Sequence, residues 1–232
     1  MRFNSYAFSM RSRGGFGTVY KVNMPNENVY AIKSVELIGG PDNYKSQLNA
    51  LQKEYLLVSS LQLHPRIIQF FAFVRDDIRV RAVLIMEFLE GGSLHDKINS
   101  NGYLNETVSL KYLVQILEGI KFLHRNKIFH SDIKPANILF TSSDDVKLCD
   151  FGIAVNNCIE SSVTSSAVKG DRHFMSPERL KEDLRSAEND IWSFGTTFST
   201  MITGHRLNNN EKYPESNTEK CVIFINSIPL AT

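Results

Sequence analysis

The residues best equipped for chemistry sit close together. His130, Ser131, Asp132, Ile133, Lys134, Pro135, Ala136 and Asn137 form one run, and Asp150, Phe151 and Gly152 follow a hairpin's length downstream. A carboxylate, an ammonium and an amide on one short loop, with a second carboxylate nearby, suit phosphoryl transfer. That reaction asks a protein for positioning and charge. One carboxylate orients the attacking hydroxyl, cations neutralise the moving phosphoryl group, and oxygen donors hold magnesium. Upstream, Ser12, Arg13, Gly14, Gly15, Phe16, Gly17, Thr18 and Val19 stand between two strand candidates. Glycine there lets backbone approach phosphate oxygens with no Cβ in the way. Taken alone, that run reads as a glycine-rich hairpin turn, and Lys33, ending Tyr30-Ala31-Ile32-Lys33, as an edge charge on a strand.

These groups need a scaffold, and the pattern supplies one. Residues 6–10, 19–24 and 29–35 are short, aromatic and β-branched, and turn residues separate them. Residues 45–61 carry Leu48, Leu51, Tyr55, Val58 and Leu61 at helical spacing, and 68–74 and 82–88 are further strand candidates. The sum is a small antiparallel sheet with one helix. After Gly91-Gly92 the chain turns helical. Ser93 with Asp96 forms a capping box, and Asn105 caps a longer helix with Val108, Tyr112, Leu113, Ile116, Leu117, Ile120 and Leu123 on its apolar stripe. A hairpin over 138–140 and 146–149, a Ser/Thr-rich stretch at 161–166 and a helix over 190–203 complete the series. That last helix is apolar nearly all round (Ile191, Trp192, Phe194, Phe198, Met201, Ile202), so it belongs inside a larger helical unit.

The order Y-A-I-K, then H-S-D-I-K-P-A-N, then D-F-G resembles the protein kinase family. Lys134-Pro135 after Asp132-Ile133 resembles its serine/threonine branch. The text from Ala50 through Asp76, Glu90-Gly91-Gly92-Ser93-Leu94, 115–119 and 174–178 resembles MAP kinase kinase kinases of the MEKK type. The resemblance implies an α+β, two-lobed kinase-like fold: an antiparallel-sheet N-lobe to about residue 87, a hinge at 87–92 and a mainly helical C-lobe over 93–205. Residues 206–232 would be a divergent or disordered tail beside an incomplete lobe. It implies ATP and Mg2+ as cofactors and a protein substrate such as a MAP kinase kinase. Asp132 would orient the hydroxyl, Lys134 and Lys33 would stabilise phosphate charge, and Asn137 and Asp150 would hold the metal. The nucleotide site would comprise Ser12, Arg13, Gly14, Gly15, Phe16, Gly17, Val19, Ala31, Lys33, Glu54, Met86, Glu87, Leu89 and Leu139. Within it, Glu54 would partner Lys33, and Met86 would gate the back pocket. Asp190 opens the helix that would anchor the loop from below.

Four departures qualify the resemblance. Ser12 replaces the first glycine. Ser131 replaces the arginine that usually answers an activation-segment phosphate, so phosphorylation at Ser161, Ser162, Thr164, Ser165 or Ser166 is expected not to be required. Asp171 stands where a threonine bridges the catalytic aspartate and lysine, and its carboxylate is expected to compete for Lys134 and repel Asp132. Beyond Arg206 no arginine remains to pair with Glu178, which is expected to be left unpaired on partial burial. The helix over 190–203 should then expose an apolar face fit for a partner.

Composition narrows the rest. With 26 basic and 25 acidic residues among 232, the charge is balanced, which excludes a nucleic-acid groove and a polybasic membrane patch. No apolar run is long enough to span a bilayer, and 1–10 lack a secretory signal pattern. Three scattered cysteines suit a reducing, cytoplasmic setting. The competing reading is an ATP-binding kinase-like scaffold or dominant-negative module without turnover.

Overall fold

The computed structural model describes residues 7–14, 17–25, 27–156, 169–182 and 185–205. Its first half is one antiparallel sheet in the order β1-β2-β3-β5-β4, made of β1 (Ala7–Gly14), β2 (Gly17–Asn23), β3 (Val29–Glu36), β4 (Phe70–Asp76) and β5 (Arg81–Glu87). Successive strand residues face opposite sides. Ile32, Val83 and Ile85 therefore join Val22 in a small outer cluster, while Ala31, Ala82, Leu84 and Met86 face the main core.

Helix α1 (Pro41–Ser59) covers that inner face. It begins before the expected residue 45, because Gly40 is extended and Pro41 brings a fixed φ already suited to a helix start. The first apolar residue of the stripe marks the buried face, not the true N-terminus.

Below the sheet, α2 (Leu94–Asn101) opens with the expected capping box. Asp96 N donates to Ser93 Oγ at 3.1 Å, and Ser93 N to Asp96 Oδ2 at 2.9 Å. Helix α3 (Glu106–Arg125) is capped by Asn105, whose Oδ1 accepts from Val108 N at 2.9 Å, and it buries Leu113, Ile116, Ile120 and Leu123 in the main core. Two short pairings follow: β6 (Ile128–Phe129) with β9 (Val155–Asn156), and β7 (Ile138–Phe140) with β8 (Val146–Leu148). Two 3-10 turns, Pro135–Asn137 and Arg172–Phe174, precede α4 (Pro177–Glu182) and α5 (Ala187–Thr203). The α+β division into a sheet half and a helical half is as expected. No described helix is long and apolar enough to cross a membrane.

Two expectations need correction. Helix α5 does not offer an exposed apolar face: Phe194 and Met201 are buried, and Ile191, Trp192, Phe198 and Ile202 are half-buried. The helix packs against α3 and the Arg172–Phe174 turn, with Phe194 and Met201 in the main core and Ile191 and Phe198 packed against it. Glu178 is exposed, not partly buried, because the phase of α4 turns it to solvent and sends Arg179 inward. The Ser/Thr stretch at 161–166 and the tail at 206–232 lie outside the described residues.

Candidate functional site

The loop that carries Asp132 is shaped from below. Asp190, in the first turn of α5 and fully buried, accepts hydrogen bonds from His130 N at 2.9 Å and Ser131 N at 2.8 Å. Its Oδ2 also lies 2.9 Å from His124 Nε2. These bonds hold Ser131 at φ 65°, a left-handed conformation that a residue with a Cβ adopts at a cost. The backbone reversal brings Asp132 to face Lys134 and Asn137. Lys134 Nζ is 2.8 Å from Asp132 Oδ2, and Asn137 Nδ2 donates to the same oxygen at 2.8 Å and to Asp132 O at 2.9 Å. With the amide nitrogen committed to Asp132, Asn137 Oδ1 is the atom it can offer as a ligand.

A second charged group is assembled from three elements. Lys33 on β3 donates to both carboxylate oxygens of Glu54 on α1 at 3.0 Å, and to Asp150 Oδ1 at 2.9 Å. Asp150 is left-handed too, at φ 62°, directly after β8. Burial alone would lower the Lys33 pKa, but the charges of Asp150 and Glu54 outweigh it and raise it well above the ordinary lysine value. Glu54 is pushed up by burial and further by the like charge of Asp150, against the pull of Lys33. Burial also opposes ionisation of Asp150, yet Lys33 holds that carboxyl below its usual range. One ammonium thus serves two carboxylates.

Other expected site residues are placed as follows. Ser12 pairs with Val19, Arg13 with Thr18 and Gly14 with Gly17 at the tip of the β1-β2 hairpin, while Gly15 and Phe16 lie outside the described residues. Ala31 pairs with Met86, and both are buried in the main core. Glu87 N donates to Gln69 O at 3.0 Å, and its Oε1 accepts from Gln69 N at 2.7 Å and Lys147 Nζ at 2.6 Å. With its N–H and one carboxylate oxygen so engaged, the Glu87 carbonyl is the backbone group it can offer a ligand. Leu89 and Leu139 are half-buried against the core, and Leu139 forms a β-bridge with Ser93. The bridge continues a seam in which Gly91 N donates to Phe140 O and Phe140 N to Gly92 O, both at 2.9 Å. A Cβ on Gly91 would come within 2.5 Å of the Phe140 Cβ, so this seam closes only with glycine.

Asp171 behaves differently from expectation. Its Oδ1 accepts from His173 N at 3.2 Å and lies 3.0 Å from His173 Nδ1, capping the Arg172–Phe174 turn. Lys134 pairs with Asp132 instead, and Asp171 presents its backbone N to Asp132 Oδ1 at 3.4 Å. Burial would raise the Asp171 pKa, but the His173 bonds and the Lys134 charge hold it low.

Two arginines escaped the sequence reading. Buried Arg179 donates through Nη1 to Ser131 O and through Nη2 to Lys169 O at 2.7 Å. Arg185 Nη1 donates to Ile153 O at 2.7 Å. Both bond to backbone, which leaves no pattern of side-chain types to find; the only signal was an arginine beside Glu178.

The donor set also bears on metal binding. Among the described residues no group of three or more His, Cys, Asp or Glu could cage an ion. Asn137 Oδ1 and the partly exposed Asp150 carboxylate are hard oxygen donors near the ammonium groups of Lys33 and Lys134, which fits magnesium, an ion that takes few protein ligands and keeps water and phosphate.

The described geometry agrees with what the chain resembles. The family model for the protein kinase domain matches residues 12–229. Mitogen-activated protein kinase kinase kinase 3 of Homo sapiens is 36% identical over 194 residues, covering 82% of this chain and 31% of that protein. Cytokinesis protein sepH of Emericella nidulans is 35% identical over 193 residues (83% and 14%). Mitogen-activated protein kinase kinase kinase ANP1 of Arabidopsis thaliana is 33% identical over 197 (83% and 29%). The chain spans about a third or less of the length of these relatives.

Proposed function

This chain belongs to the protein kinase family, and from that premise we propose that it transfers the γ-phosphate of ATP to serine or threonine hydroxyls of proteins. The observation that carries the proposal is the convergence of Lys134 and Asn137 on Asp132, beside the buried Lys33–Glu54–Asp150 group. The kinase domain we assign covers residues 1–205, with its hinge at 87–92.

In this reading Asp132 orients the attacking hydroxyl and accepts its proton. Lys134, already 2.8 Å from that carboxylate, steadies it and lends positive charge beside the reacting centre. Lys33, aligned by Glu54, faces the phosphates. Asn137 and Asp150 are the residues that hold magnesium, which when bound neutralises phosphate charge. Val19, Ala31, Leu89 and Leu139 would line the adenine, backbone at Glu87 and Leu89 would meet its edge, and Met86 would close the rear.

Serine/threonine preference is supported by Lys134-Pro135 after Asp132, and a MAP kinase kinase as substrate by the names of the relatives. The free, buried Cys149 suits the cytoplasmic setting we assign. The competing reading, a scaffold without turnover, rested on Asp171 and on the expectation of an incomplete helical lobe; the engagement of that carboxylate by His173 weakens the first ground.

The test is magnesium-ATP phosphotransfer by the purified chain to a generic protein substrate, beside Asp132→Asn. The substitution should lower the rate by about 10²–10⁴-fold and leave the unfolding midpoint close to that of the parent. Folded, nucleotide-binding protein that transfers no phosphate would establish the scaffold reading instead.

A further inference from the structure

We propose that Arg179 is a positioning residue for Asp132, a permanent tie between the catalytic loop and the segment that leads into α4, in place of a phosphate-dependent one. The inference rests on the phosphotransfer reading above for what Asp132 does, but its structural content stands apart from it.

Arg179 is 1% exposed, and a buried guanidinium depends on the hydrogen bonds its N–H groups make. Two of its bonds go to backbone carbonyls that flank the site. One is Ser131 O, whose peptide leads directly into Asp132; the other is Lys169 O. Ser131 is therefore gripped on both sides, its N–H by Asp190 and its carbonyl by Arg179. That double hold suits a residue kept at φ 65°.

The Lys169 end closes a circuit. Gly170 follows at φ 115°, and a Cβ there would lie 3.1 Å from Asp132 Oδ1. The next residue, Asp171, donates its backbone N to that same oxygen at 3.4 Å. From Arg179 one path runs through Ser131 to the backbone of Asp132, and the other through Lys169 and Gly170 to its carboxylate.

The arginine is itself anchored. Arg179 N donates to Ser176 Oγ at 3.3 Å, and Ser176 Oγ donates to Asn189 Oδ1 on α5 at 2.6 Å. A guanidinium stays charged at any physiological pH, so the tie needs neither modification nor titration. Ser131 offers no cation to a phosphate, and Arg179 supplies by hydrogen bonding the order such an ion pair would give.

The test compares the whole chain with Arg179→Met and Arg179→Lys. Three quantities are read: kcat and KM for ATP, magnesium-ATP affinity by calorimetry, and backbone amide exchange. Arg179→Met should lower kcat by about 10²-fold, the scale expected when a reacting group is slightly misplaced. ATP affinity and KM should hold, and exchange should quicken at the Asp132 and Asp171 amides while α3 keeps its protection. Arg179→Lys should recover part of kcat, since an ammonium reaches one carbonyl but lacks the fork for two.

An unchanged kcat overturns the proposal. So does a loss of kcat accompanied by uniformly faster exchange, which marks a merely structural residue. If Arg179→Met does not fold, Arg179→Lys decides, and failure of both to fold also overturns it. Should the parent chain bind nucleotide yet transfer nothing, the phosphotransfer reading fails separately. The exchange pattern then decides alone: local quickening at Asp132 and Asp171 supports the tie, and uniform or absent quickening refutes it.

Discussion

Two charged networks in this molecule are built to opposite rules. At the β7-β8 turn, Asp144 meets Lys97 Nζ at 2.8 Å, Lys111 Nζ at 3.0 Å and the Tyr112 hydroxyl at 2.9 Å. Its neighbour Asp145 accepts from Gln115 at 2.7 Å, Ser143 at 3.0 Å and Arg66 at 3.3 Å. Each carboxylate there is outnumbered by donors. In the cleft one ammonium, Lys33, is shared by Glu54 and Asp150, while Lys134 and Asn137 bond Asp132, so two cations face three carboxylates. The titration directions follow. Burial opposes ionisation of Asp144, yet the bonds from Lys97, Lys111 and Tyr112 bring its pKa down to about 2. In the cleft, burial and a neighbouring carboxylate push Glu54 up. The hairpin's charges are balanced among themselves and serve to hold it closed. The cleft keeps an anionic surplus, which suits a site that must receive a cation.

The sharpest way to break this contrast is Lys33→Met. It leaves buried Glu54 beside the partly exposed Asp150 without their shared cation and should cost about 3 kcal/mol of stability, read from denaturant unfolding, in addition to abolishing transfer. An unchanged midpoint would mean that the cleft carboxylates are hydrated well enough to need no partner. Next in size is Tyr112→Phe, which removes one donor of several from Asp144 and should cost about 1 kcal/mol with phosphotransfer intact. A larger loss, or any loss of activity, would show that the hairpin network reaches the cleft.

Smallest is the acid response of the hairpin. Asp144 is depressed from an ordinary 3.8 to about 2, so its contribution is fully present above that ordinary value and disappears as pH falls through about 2. Its side chain is 43% exposed, and screening should limit the effect to about 0.5 kcal/mol. Comparing Asp144→Asn with the parent across pH 2–5 isolates it. A difference that grew towards low pH would carry the wrong sign.

What the sequence made legible follows the same division. Asp132, Lys134, Asn137 and Asp150 were readable as reactive side chains gathered on one loop and just after the next hairpin, whereas the Lys33–Glu54 pair was legible only through the family resemblance. The capping residues Ser93 and Asn105 were readable because a cap is a local bond between near neighbours. Asp171 was misjudged because spacing gives a carboxylate's position on the chain and not the direction it turns; a histidine two residues on decided that. Glu178 was expected on the wrong face, and Arg179 was passed over, because a six-residue helix such as α4 has too little periodicity to announce its buried face. Arg179 and Arg185 act on carbonyls, which every residue carries, so no pattern of types could reveal them.

The seam between Gly91-Gly92 and Phe140 has a mechanical consequence. It makes the later part of the linker an extra strand of the helical half, while Glu87, bonded to Gln69, belongs to the sheet. Swinging of one half against the other would bend the chain at Phe88, Leu89 and Glu90, and also beside Ile68, whose loop is bonded to Leu148 of β8. Pivots this short restrict the halves to a few directions of swing, and under the phosphotransfer reading that swing is the motion that would open the cleft for release.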